Sequence, residues 1–234
     1  MRYLPLRGSF AFSLLALAVL SLGSVMSAQA GTITYSTTNT LDLRGTGFGT
    51  RLTILSLQAT PTESGATTFI APNGTGDSTS QDSLLSIAQL QGIGIASASE
   101  IQLVYNLNET GSSPGTTLTE NTLTFYSSTG AVVASATLRN PFSAEPFNQG
   151  NGGSGYFASF TFSAAELIAI NALFTSGQGF VGLSGTITAS DNGADSFFIR
   201  DVTAPTAVPE PATMILLGTG LAGVASKVRR RRKA

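Results

Sequence analysis

Ile101-Gln102-Leu103-Val104-Tyr105-Asn106-Leu107-Asn108 decides the fold class. Large apolar side chains at 101, 103, 105 and 107 alternate with Gln102, Asn106 and Asn108, the period of two that sends successive side chains to opposite faces of a strand. One face packs inward and the other meets solvent, with Val104 alone breaking the alternation. Outward from this stretch, similar β-prone runs cover 32–38, 51–58, 122–127, 131–138, 156–162, 180–188 and 196–201, separated by Thr, Ser, Gly and Asn. Eight such strands with Gly-rich turns predict a mainly β fold, a β-sandwich of jelly-roll or Ig-like type.

Local signals fill in the connections. Ser127-Ser128-Thr129-Gly130 has hairpin length, with Gly130 able to supply a positive φ. Ser163 and Glu166 form a capping box ahead of Leu167, Ile170, Leu173 and Phe174, which share one helical face until Gly177. A second short helix is predicted over 83–91, and surface loops over 71–81 and 140–154. Tyr105 and Phe125 alternate with core positions and read as packing residues.

The two ends differ in kind from this middle. Residues 1–30 carry Arg2 and Arg7, an apolar stretch from Phe10 to Leu22, and Ala28-Gln29-Ala30, the A-x-A pattern of a signal peptide cleaved after Ala30. The apolar stretch is shorter than the roughly 20 residues of a spanning helix. An exported domain over 31–203 follows, then a Pro-containing linker over 204–207. Eight of the twelve basic residues lie in the two ends, so 31–207 holds four arginines against twelve acidic residues, a net charge of −8, and no lysine. Such a surface argues against nucleic acid and anionic lipid, both of which are gripped through Lys and Arg. An exported chain without cysteine relies on packing and sheet hydrogen bonds in place of disulfides.

Residues 208–234 have three parts: Val208-Pro209-Glu210-Pro211, an apolar run over 212–226, and a basic end with Lys227, Arg229, Arg230, Arg231, Arg232 and Lys233. The prolines predict an extended, protease-accessible segment. Fifteen residues make a helix of about 22 Å, short of a roughly 30 Å hydrocarbon core, yet it serves as a membrane helix if the bilayer thins and the arginines snorkel. The basic end stays cytoplasmic, which places 31–207 on the far side. Gly218, Gly220 and Gly223 satisfy the dinucleotide fingerprint, but that motif requires a preceding strand and an acidic residue about 20 positions onward. Small residues in a membrane helix instead permit close helix approach.

This layout resembles the PEP-CTERM sorting signal of Gram-negative bacteria, with Pro209, Glu210 and Pro211 on the motif and Lys227 to Lys233 on the basic end. The resemblance implies recognition by a membrane protease, exosortase, an inner-membrane-tethered intermediate, and a final place at the cell surface or in the extracellular matrix. Genes of that family accompany exopolysaccharide and biofilm production. No biochemical activity transfers with the tail.

With no His or Cys, and no Lys in 31–207, Ser/His and Cys/His pairs, Ser/Lys dyads, Schiff-base lysines and ordinary zinc sites are all excluded. A carboxylate pair for glycoside hydrolysis survives, though no spacing nominates one. Trp is absent, leaving Tyr35, Tyr105, Tyr126 and Tyr156 to stack on sugars. Asp191, Asn192 and Asp195 concentrate oxygen ligands for calcium, with Asp201 nearby and Asp77 and Asp82 as weaker candidates, but Asp, Asn and Gly193 also suit a plain turn. The expectation is a non-enzymatic, cofactor-free surface or matrix protein associated with exopolysaccharide. A carbohydrate- or calcium-binding adhesion module and a carboxylate-dependent glycosidase are the alternatives.

Overall fold

Alternation along the chain becomes one continuous hydrogen-bonded sheet. The computed structural model describes residues 30–43, 51–108, 115–146, 153–191 and 193–202. Among them are twelve strands: β1 (Gly31–Asp42), β2 (Leu52–Leu57), β3 (Thr62–Thr68), β4 (Ala71–Gly76), β5 (Leu85–Ser86), β6 (Ile101–Leu107), β7 (Thr116–Tyr126), β8 (Val132–Leu138), β9 (Phe142–Ala144), β10 (Ser154–Thr161), β11 (Phe180–Thr188) and β12 (Asp195–Asp201). Two α-helices accompany them, α1 (Ile87–Gly92) and α2 (Ala164–Ser176), with a 3-10 turn at Ala98–Glu100. The sheet order is β2-β12-β6-β10-β1-β8-β7-β11-β3-β4, with β5 on β11 and β9 on β7. Every pairing is antiparallel except β1 with β8.

The two ends of this path meet. Leu57 bridges Ser78, Gln58 N–H donates to Asp77 O at 3.0 Å, and Thr79 N–H donates to Ser56 O at 2.9 Å. The fold is therefore mainly β, as the alternation predicts, but the strands do not part into the two sheets of the expected sandwich. They form one nearly barrel-shaped sheet. The physical reason is the β3–β4 hairpin, which carries the sheet round from β11 to the segment that meets β2, within a region where a loop over 71–81 was expected.

The core is the inside of this sheet, with Leu55, Leu103, Tyr105, Leu123, Phe125, Ile187 and Phe197 all buried. Aromatic rings gather around Tyr105, which stacks on Phe197 at 4.9 Å between centroids and meets Tyr35 edge-on at 6.2 Å. Val104, the break in the alternation, has its own explanation: it packs with Phe157 and Phe198 in a small second cluster, flanked by Leu41 and Leu43, on the opposite face of β6. The Ser127–Gly130 turn forms as expected, with Gly130 at φ +86° and Ser127 N–H donating to Ala131 O at 2.8 Å.

Both helices are fixed by capping boxes. In α2, Glu166 N–H donates to Ser163 Oγ while the Glu166 carboxylate accepts from Ser163 N–H at 2.8 Å, and Gly177 closes the helix at φ +65°. In α1 the same device uses Ser86 and Gln89, so the helix starts later than expected, because 85–86 pair with β11 as a short strand. Residues 1–29 of the predicted signal peptide, the linker over 204–207, the membrane helix over 212–226 and the basic end lie outside the described residues. Ala30 is exposed and β1 begins at the next residue. Among the described residues no helix is long and apolar enough to cross a membrane.

Candidate functional site

Polar side chains gather in two places, one sealed and one open. The sealed set lies inside the barrel. Tyr105 points inward from β6 because it sits on the apolar phase of that strand, and its hydroxyl donates to Asp195 Oδ2 at 2.8 Å. Thr116 Oγ1 lies 2.8 Å from the same hydroxyl. Tyr105 has one proton to give, so the Thr116 hydroxyl donates to Tyr105 when Tyr105 donates to Asp195. Asn108 N–H donates to Asp195 Oδ1 at 2.7 Å, just past the end of β6. On β3, Glu63 accepts at Oε1 from Ser190 Oγ at 2.6 Å and from Ala59 N–H at 3.2 Å. Tyr35 O–H donates to Asn121 Oδ1 at 2.9 Å, and Asn121 Nδ2 donates to Ser184 O at 3.0 Å.

Asp195, Glu63 and Tyr105 have no solvent exposure. Burial, reinforced by the charges of Glu63 and Asp191, raises Asp195 to about 7 against the hydrogen bonds from Asn108 and Tyr105 that favour its anion. Burial first, and then the Asp195 charge, pushes the Tyr105 phenol well above its ordinary value, so it stays a hydrogen-bond donor. A second raised carboxyl, Asp82, sits at the barrel seam. Its oxygens accept from Ser56 N–H at 2.5 Å on β2 and from Thr79 N–H at 3.0 Å, and burial raises it to about 6.

The open set is the outer wall. Register places Thr32, Thr137, Thr122, Ser184, Ala66 and Thr75 in one row across β1, β8, β7, β11, β3 and β4. Ser143, Thr117, Thr188 and Thr62 make a parallel row across β9, β7, β11 and β3. These side chains are exposed or half-buried, and neighbours touch through hydroxyls: Thr122 with Thr137 at 3.3 Å, Thr117 with Ser143 at 3.5 Å, and Ser64 with Thr186 at 3.3 Å. Glu120 is the acidic side chain among them, accepting from Thr186 Oγ1 at 3.2 Å.

The calcium candidates differ in placement, though the Asp191 charge acts on Asp195. Asp195 is turned into the core, Asp191 is half-buried, Asn192 lies outside the described residues, and Asp201 is buried at the opposite end of β12. Asp77 accepts from Ser64 N–H at 2.8 Å. Among the described residues no three acidic side chains are grouped to hold a metal ion. Of the sugar-stacking candidates, Tyr35, Tyr105 and Tyr156 are buried and Tyr126 is half-buried. Sequence reasoning missed Glu63 because it sits among small residues, and Thr116 and Asn121 because the strand predicted over 122–127 begins beyond them and a bulge between Leu118 and Glu120 shifts the inward phase.

Two surface depressions are free of acidic residues. One of about 340 Å³ lies beside Ile33, Tyr35, Arg139 and Phe142, and one of about 500 Å³ beside Ile101, Gln102, Phe160, Phe162, Leu167 and Val202.

Comparison with known proteins adds one positive finding. Residues 207–232 match the family model of the PEP-CTERM protein-sorting motif, which spans the Pro209-Glu210-Pro211 motif, the apolar run and most of the basic end. The tail thus marks an exported protein sorted by exosortase. No curated protein and no solved structure matches the chain.

Proposed function

We propose that this exosortase-sorted chain is a non-enzymatic, cofactor-free surface or extracellular-matrix protein whose barrel associates with exopolysaccharide. The observation that carries the reading is the hydroxyl wall. Rows of Thr and Ser on adjacent strands, about 4.8 Å apart, offer many neutral donors and acceptors in a continuous curved array. A polysaccharide presents the same chemistry, and each contact is individually weak, so attachment is through many of them rather than through a pocket. With no lysine, a net charge of −8 over 31–207 and Glu120 among its hydroxyls, the wall has little cationic grip for nucleic acid.

Support against the alternatives comes from the sealed set. Glycoside hydrolysis needs two carboxyls facing a sugar in an open cleft, whereas Glu63 and Asp195 are closed off from solvent. A calcium site at Asp195 would have to take oxygens already engaged by Tyr105 and Asn108. Before processing, the apolar run over 212–226 tethers the chain to the inner membrane, and its removal sends the barrel to the cell surface or matrix.

Cosedimentation of the processed protein with exopolysaccharide from its host tests this. Retention that survives a calcium chelator, and that drops several-fold in a Thr122→Glu/Thr137→Glu variant with unchanged circular dichroism, is expected. Loss on chelation would favour the calcium-dependent module, and absence of retention would remove the polysaccharide partner. In cells lacking exosortase, mass spectrometry should find Arg229 to Arg232 still attached.

A further inference from the structure

From the outer face of α2 and the place where the chain leaves the barrel, we infer that the barrel docks on the lipid surface while it is still tethered, through Ile168, Leu167 and Val202. The inference rests on the tethered intermediate proposed above. α2 is apolar on its inner side and, over its N-terminal half, on its outer side as well, with Asn171, Thr175 and Ser176 exposed farther along. Its inner face buries Ile170 and Phe174, yet Ile168 remains 72% exposed and Leu167 37% exposed, with Ala164, Ala165 and Ala172 also outside. Its single charged residue, Glu166, is buried and turned back to Ser163 N–H, so no charge interrupts the outward surface. A solvent-facing helix ordinarily carries charged residues on that side.

Position selects the occupant. Val202, 47% exposed, is held by its N–H on Glu100 O at 2.9 Å, and it lines the same 500 Å³ groove as Leu167 and Phe162. The described chain therefore leaves the barrel beside the N-terminal half of α2. Nine residues separate Val202 from the apolar run at Ala212, a span of at most about 35 Å when fully extended. Wherever that run enters the bilayer, the apolar face of α2 is held within reach of the same leaflet.

Charge sets the lipid chemistry. The acidic, lysine-free segment over 31–207 cannot be drawn to anionic headgroups, so contact comes from aliphatic side chains entering the boundary of a zwitterionic surface. Three exposed aliphatic side chains are too few to hold a free barrel. A short tether raises the effective concentration to roughly millimolar, which makes such a weak contact count. Docking then holds only as long as the tail is intact, and cleavage releases barrel and contact together.

The chain has no cysteine, so single labels are unambiguous. Full-length protein carrying an environment-sensitive fluorophore at Ile168→Cys, or at the exposed Val132→Cys in β8 as a control, is reconstituted in phosphatidylcholine vesicles with shallow lipid-borne quenchers. The expected result is at least twofold stronger quenching at 168 than at 132. Cleavage between barrel and tail should abolish the difference, and added phosphatidylglycerol should reduce it. Failure of the chain to float with the vesicles would remove the tether, and the inference with it. Flotation with equal quenching at both positions would overturn docking alone. A label at 168 shielded from water but out of reach of the quenchers would assign the face to a second copy or to the chain's own tail, and overturn it too.

Discussion

The inside and the outside of the barrel use the same few polar residue types and spend them differently. Inside, the buried Tyr105, Thr116 and Asp195 exchange hydrogen bonds of 2.8 Å, and half-buried Asn108 adds one of 2.7 Å to Asp195. Outside, Thr122 and Thr137, or Thr117 and Ser143, touch at 3.3 to 3.5 Å in contact with solvent. A buried polar group left without its partner costs the desolvation of that group, whereas an exposed one turns to water. The inner set therefore holds one particular packing of the core, and the outer set is left free to bond with something else.

The largest break in this contrast comes from removing the inner anchor. Tyr105→Ala empties a fully buried aromatic site stacked on Phe197 and strips Asp195 of a donor, so a loss of about 4 kcal/mol in chemical denaturation is expected. Tyr105→Phe keeps the ring, and should lose about a third of that. A smaller loss for the Ala variant than for the Phe variant would mean that the ring does not carry the packing.

Next in size is a dependence on pH. Asp195 holds its proton up to about 7 in the fold and to about 4 in the unfolded chain. Below pH 4 both states are protonated and the contribution is whole. As pH rises between 4 and 7 the unfolded chain releases a proton that the folded chain keeps, so stability falls, and it levels off above 7. From pH 5 to pH 8 the loss is on the order of 3 kcal/mol. Asp82 acts in the same direction up to about 6. The melting temperature should thus be higher at pH 5 than at pH 8, and Asp195→Asn should flatten most of the slope. An unchanged slope in that variant would place the titration elsewhere.

How much of this the sequence discloses depends on side-chain size. β6 and β11 are legible because large apolar residues alternate with polar or small ones, β8, β10 and β12 because β-branched and aromatic residues concentrate in them, and α2 because Ser163, Glu166 and Gly177 mark its ends. β3 and β4, Thr-Glu-Ser-Gly-Ala-Thr-Thr and Ala-Pro-Asn-Gly-Thr-Gly, contain no large apolar residue, and their strand character comes from pairing with β11 and with each other. Missing them hides the closure of the barrel and the inward turn of Glu63. Asp195 was visible as an oxygen ligand, but its burial follows from the inward phase of β12, where it stands two residues before Phe197.

The seam gives a third test of intermediate size. Asp82 ties Ser56 on β2 to Thr79 beyond β4, so Asp82→Ala should cost about 2 kcal/mol, mostly by taking the acceptor from the buried Ser56 N–H, while Thr79 N–H keeps its bond to Ser56 O. Hydrogen exchange should then speed up at Ser56 and Thr79 before it does at Leu123 in the middle of β7. Uniform loss of protection across both regions would make the seam part of the core rather than its weakest closure.

At the small end stands the wall. Thr122→Ala and Thr137→Ala remove one hydroxyl each from an exposed pair, and their effect on stability should stay within about 0.5 kcal/mol. The double variant should be additive to within about the same margin, because water replaces either partner. The neighbouring inner residue Thr116 lies on the same strand, β7, but faces Tyr105, and Thr116→Ala should cost about 1.5 kcal/mol by comparison. Equal costs at 116 and 122 would erase the distinction between a sealed network and an open surface. A wall that contributes almost nothing to folding, while its removal weakens retention on exopolysaccharide, is one whose hydroxyls serve attachment rather than stability.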